Sequence, residues 1–222
     1  GRRSRVEINL DLPVRAPDLV HTVAHETYPG HHLEAATKEA VLVDGEGRAE
    51  LTLLSINTPE CLLHEGLADL GYRFAVPPAD EAGLLEELFR TAEVPVASDA
   101  GAARVAAERQ VDIGRARREL RGVAGNAALL RHSDGRSRAE VVDYCVTVGR
   151  QARPRAEQRL DFIEHPLWRP YVFVYREGEA LLAQWLEEVP GDQHAARFCR
   201  LLREARSPSS IRGEISRPSA SL

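Results

Sequence analysis

Residues 6–12, Val-Glu-Ile-Asn-Leu-Asp-Leu, alternate apolar and polar without a break. A period of two predicts a half-buried strand, which Pro13 ends. From Pro17, suited to a first helical turn, a helix is expected to residue 28, and a second from His31 to about residue 43. Asp44-Gly45-Glu46-Gly47 is a turn, while residues 48–56 fit strand and helix equally. Asn57-Thr58-Pro59-Glu60 reads as a helix start, with Thr58 as cap and Pro59 in the first turn. In that helix Leu63, Leu67, Leu70 and Phe74 form one stripe, and Glu65 and Asp69 lie on another. Pro77-Pro78 breaks the chain. Residues 80–92 and 99–131 are expected to be helical scaffold, the second interrupted at Gly114 or Gly122. After a turn at residues 132–135, Ser137 caps a helix to about residue 148, and a loop at 165–170 precedes a helix over 171–188. The last fifteen or so residues, rich in Ser, Pro and Arg, predict disorder. The pattern describes a mainly α domain over 1–205, with a short N-terminal edge strand and a disordered tail over 206–222.

Composition narrows the class. A chain of 222 residues, 43% hydrophobic with net charge −5, buries a substantial core as one domain or two lobes. Scattered arginines among more numerous acids, with few aromatics, argue against a nucleic-acid partner. No apolar run approaches the roughly 20 residues of a membrane span, and the basic N-terminus leads into a strand-like pattern, unlike a secretory signal. Cys61, Cys145 and Cys199 are odd in number and widely spaced, which predicts reduced thiols and a cytoplasmic location. The absence of methionine and the start at Gly1 predict a C-terminal fragment of a longer chain. Lys38 is the one lysine, a sign of genomic base composition.

Chemistry concentrates in residues 21–34, which hold His21, His25, His31 and His32, four of the chain's eight histidines, beside Glu26 and ahead of Glu65. Imidazoles with a carboxylate are the donor set of catalytic zinc, and a His-Glu pair on a helix places a metal ligand next to a general base. The spacing is not a plain His-Glu-x-x-His, because Pro29 stands four residues after His25. His31 is six on and faces elsewhere in a straight helix, and His32 is seven on, roughly 10 Å along the axis. A His25–His31 pair therefore requires Pro29-Gly30 to deform the helix so that two residues loop out. His21 and His25, four apart, pair without deformation. The N-terminal strand, just ahead of this helix, offers an edge to which an extended peptide can add.

The string His25-Glu26-Thr27-Tyr28-Pro29-Gly30-His31-His32-Leu33-Glu34 resembles the HExxPGHHLQ signature of a bacterial domain-of-unknown-function family similar to gluzincin metallopeptidases. Glu65-Gly66-Leu67-Ala68-Asp69-Leu70-Gly71-Tyr72 resembles that family's second box, EGWALYAE, and Tyr175-Arg176-Glu177-Gly178-Glu179 a weaker third, YKxGE. The likeness spans residues 20–185. Glu34 stands for Gln and Leu67 for Trp, and no PGQ precedes Tyr175. The resemblance implies a zincin-like helical domain that binds one zinc ion through His25, His31 and Glu65, with Glu26 as general base. It leaves His21 without a counterpart. Asp69, four residues from Glu65 on the same face, is placed to orient a ligand imidazole.

The reaction these residues predict is hydrolysis of a peptide or small amide, with Tyr175 favoured over Tyr171, His165 and Arg169 as the donor that stabilises the tetrahedral oxyanion. His64 lies about 100° round the helix from Glu65 and is read as a bystander. Competing readings are a helical metal-binding protein without activity and a metal-free scaffold.

Overall fold

The computed structural model describes residues 2–9, 14–95 and 99–216, and their regular structure is helical, with no strand among them. The order is α1 (Ala16–Glu26), α2 (His31–Lys38) continuing into a wider π-helical stretch (Glu39–Gly45), a 3-10 turn (Ala49–Thr52), α3 (Pro59–Ala75), α4 (Glu81–Thr91), α5 (Ala100–Glu119), α6 (Val123–His132), α7 (Arg138–Thr147), α8 (Arg153–Glu164), a 3-10 turn (Tyr171–Phe173), α9 (Val174–Glu187), a 3-10 turn (Gly191–Gln193), α10 (His194–Arg203) and α11 (Pro208–Ile215). No helix is long and apolar enough to cross a membrane.

The expected edge strand is corrected over its described part. Residues 6–9 have no regular structure, Val6 and Ile8 stay exposed, and 10–12 lie outside the described residues. Alternation supplies a face but no neighbour, and one strand alone leaves its backbone unpaired. The segment is tied down by side chains instead: Arg2 pairs with Asp44 at 2.7 Å and Ser4 meets His32 Nδ1 at 2.7 Å.

The helix centred on Glu65 organises the rest. Thr58 is its N-cap residue with Pro59 in the first turn, although the Thr58 hydroxyl turns back to the Ser55 carbonyl and leaves the helix amides alone. Leu63, Leu67 and Leu70 are buried as the stripe predicts, whereas Phe74 is partly exposed against Phe198. They pack with Leu182, Trp185, Leu201 and Ile211 into one core shared by α3, α9, α10 and α11. A second core joins α6, α7 and α8, and a third joins α4 and α5. Helices α3 and α9 approach so closely that a Cβ on Gly178 would sit 2.0 Å from the Leu62 carbonyl oxygen, and one on Gly66 would sit 2.3 Å from the Gly178 carbonyl carbon. Only two glycines permit that crossing.

The tail is also corrected. Ser207 begins α11 with a capping box, and Ile211 is wholly buried. Glu214 accepts the Trp185 indole N–H at 2.8 Å and is paired with Arg206, which fixes α11 over the core. Serine and proline here serve as cap and first turn. Residues 217–222 lie outside the described part.

Candidate metal centre

Helix α1 ends at Glu26 and α2 begins at His31, so the deformation required at Pro29-Gly30 is present. Gly30 N–H bonds to the Ala24 carbonyl at 3.0 Å and Leu33 N–H to the Thr27 carbonyl at 3.1 Å, each six residues back where a straight helix bonds four back. Two residues are thus accommodated in the elbow, which contains a cis Tyr28–Pro29 peptide. Gly30 fits because a Cβ there would lie 1.8 Å from the His25 carbonyl oxygen.

Across this elbow the structure brings His25, His31 and Glu65 together, with one donor atom of each within 4.8 Å of the others. Glu65 Oε2 lies 3.2 Å from His25 Nε2 and 3.6 Å from His31 Nε2. Three donors about 2.0–2.1 Å from a tetrahedral ion lie about 3.3 Å apart, close to both distances. The two rings meet edge to face, centroids 4.7 Å apart. Glu65 Oε2 is buried and, although both nitrogens are near, neither is aligned to donate to it, so it has no hydrogen-bond partner. A buried carboxylate oxygen left in that condition is costly, and a divalent cation between the three donors would satisfy it. The residues therefore fit a metal ion.

Supporting groups fix two of the three donors. Asp69 Oδ1 meets His25 Nδ1 at 3.0 Å, which leaves Nε2 to face Glu65. Tyr171 donates its hydroxyl to Glu65 Oε1 at 2.6 Å, so the other carboxylate oxygen faces the imidazoles. That bond distinguishes the two tyrosines. Tyr171 orients Glu65, while Tyr175 packs beside it, ring centroids 5.7 Å apart, 40% exposed and near enough to Glu26, Glu65 and Asp69 to feel their charge. Burial, together with those carboxylates, pushes the Tyr175 hydroxyl above its usual range, so it remains a proton donor.

The alternative ligands lie elsewhere. Both His32 nitrogens are occupied, Nδ1 by Ser4 and Nε2 by the Tyr28 hydroxyl at 3.1 Å. His21 Nε2 approaches Asp69 at 3.5 Å, outside the cluster of donors, and burial lowers its pKa. His165 Nδ1 accepts the Leu167 N–H within its own loop. His64 Nδ1 lies 2.7 Å from Glu34 Oε1, which Lys38 also reaches at 2.6 Å. Burial alone would raise the Glu34 pKa, but the His64 hydrogen bond and the Lys38 charge lower it to about 2. At the site's rear, Glu179 is buried between Arg73 (3.0 Å) and Arg121, and Arg121 lies within reach of the Asp69 charge.

The centre opens on a cleft of about 1000 Å³ whose lining includes His31, Glu65 and Tyr171. Burial opposes a charged His25, yet the hydrogen bond to Asp69 and the charges of Asp69 and Glu65 outweigh it and raise the pKa to about 9. A folded value above the unfolded one, near 6.5, stabilises the metal-free fold fully below that pH and ceases to do so as pH rises through about 9. Metal must displace this proton. Calorimetry at pH 7.5 in two buffers of different ionisation enthalpy is expected to register more than one proton released per ion, one from His25 and part of another from the water beside the ion. Release of less than one would show that His25 is neutral or is not a ligand.

No family model, curated protein or solved structure matches the chain.

Proposed function

We propose that the protein is a zinc-dependent hydrolase of peptide or amide bonds, in which His25, His31 and Glu65 hold the ion. The observation that carries this reading is the buried, unpartnered Glu65 oxygen facing two imidazoles at the head of a cleft. An ion with three protein donors keeps a position for water, lowers the water's pKa to about 7 and polarises a carbonyl. Two imidazoles and one carboxylate suit zinc among the common divalent ions.

The chain's own groups supply the remaining chemistry. Glu26 follows a ligand and ends α1, half-buried and close enough to Tyr175 for their charges to interact. As general base, it takes the proton of the attacking water and returns it to the leaving amine. Tyr175, held in its protonated form, donates to the oxyanion. Asp69 and Tyr171 position His25 and Glu65, and neither needs to touch substrate.

Metal analysis and a peptide library test the proposal together. Purified protein is expected to carry close to one zinc per chain and to cleave peptides. A chelator should abolish cleavage, added zinc should restore it, and Glu65→Ala should bind no metal. Stoichiometric zinc without cleavage would leave a helical metal-binding protein, and absence of metal would leave a scaffold.

A further inference from the structure

We propose that residues 51–56 form the substrate wall of the cleft and bind an extended peptide by its backbone and by a bulky aliphatic side chain. The inference rests on the hydrolase reading and names its substrate class. Four large aliphatic residues lie close together here in the open: Leu53 is 83% exposed, Leu54 78%, Ile56 47% and Leu51 38%. Leu53 and Leu54 exceed every other exposed large hydrophobic residue described, and all four line the cleft. Isolated exposed leucines need no explanation, but a contiguous apolar patch on a cleft wall indicates binding.

The backbone supports the same occupant. After the 3-10 turn the chain becomes extended at Leu53. Among the described residues, the amides of Leu54 and Ile56 and the carbonyls of Leu53 and Leu54 make no backbone-to-backbone hydrogen bond. Unspent main-chain groups beside apolar side chains match an extended peptide, which supplies both kinds of partner in alternation. An apolar small molecule would leave the main-chain groups unanswered.

The wall also leads to the proposed reaction centre. At its far end Asn57, with φ of 64°, donates from Nδ2 to the Leu167 carbonyl at 2.6 Å. Four residues later in that loop Tyr171 holds Glu65. A chain lying along residues 53–56 is therefore continuous with the position where His31, Glu65 and Tyr171 face the cleft.

The test uses zinc-loaded Glu26→Gln protein and fluorescein-labelled alanine-based hexapeptides carrying Leu or Ser at each position in turn, read by anisotropy. At one position Leu is expected to tighten binding by about ten- to a hundredfold over Ser. Leu53→Ser/Leu54→Ser, at two exposed positions where folding is not at stake, should reduce that preference to less than threefold. A preference absent from the parent, or fully retained in the double variant, overturns the inference. So does a parent that sediments as a dimer beside a monomeric double variant, since a second copy would then cover the leucines. Cleavage by the native protein is scored separately. Cleavage without Leu preference defeats this inference alone, and Leu-selective binding without cleavage defeats only the hydrolytic reading.

Discussion

Glu26→Gln is expected to lower turnover by about 10²–10⁴-fold while leaving zinc content unchanged. The substitution replaces one carboxylate oxygen with an amide nitrogen, keeps the side-chain volume and removes the proton acceptor. Metal content should hold because the three donors, His25, His31 and Glu65, are untouched. Peptide affinity should also hold, which makes the variant a proper host for binding measurements. The paired readout is steady-state kinetics with elemental analysis on the same preparation. Loss of zinc together with activity would mean that Glu26 is itself a ligand. Retained turnover would place the base elsewhere, and the assignment would fail.

The second large effect is expected at the α3–α9 crossing. Gly178→Ala places a methyl 2.0 Å from the Leu62 carbonyl oxygen, a backbone atom that cannot swing aside. Separation of the helices should cost about 3 kcal/mol or more, read as a lower denaturant midpoint. Because Glu65 and Asp69 lie on α3 while Tyr175 and Glu179 lie on α9, metal affinity should fall with it. Gly83→Ala is the control. Its methyl would meet nothing within 4 Å inside α4, and it should gain up to about 1 kcal/mol. Equal midpoints for Gly178→Ala and the parent would mean that the crossing is looser than described.

Legibility from sequence follows how local each cause is. The Thr58-Pro59 start of α3, the Ser137 cap of α7 and the elbow at Pro29-Gly30 are written in a few adjacent residues, and each lies where the sequence places it. Of the two candidate interruptions in 99–131, Gly114 stays inside α5, since a mid-helix glycine costs only about 1 kcal/mol. The break comes at Leu120–Gly122, where Arg121 reaches Glu179. Helix α8 has a thin apolar stripe of Ala156, Leu160 and Ile163, too sparse among Arg and Glu to announce itself. Residues 6–9, which form no strand, and residues 207–215, which are ordered as the cap and body of α11, depart from expectation for one reason: neither alternation nor composition says which surface lies alongside. For the site, His25, His31 and Glu65 could be assembled from the spacing and the resemblance. The Tyr171 bond to Glu65 could not, because it joins residues 106 positions apart.

One consequence of the two-residue elbow concerns rigidity. Donors on a single unbroken helix are held at a fixed pitch, whereas His25 and His31 belong to separate helices with separate neighbours. His25 is anchored through Asp69 on α3, while α2 packs against α10. An ion shared among His25, His31 and Glu65 would act as a rivet through three helices.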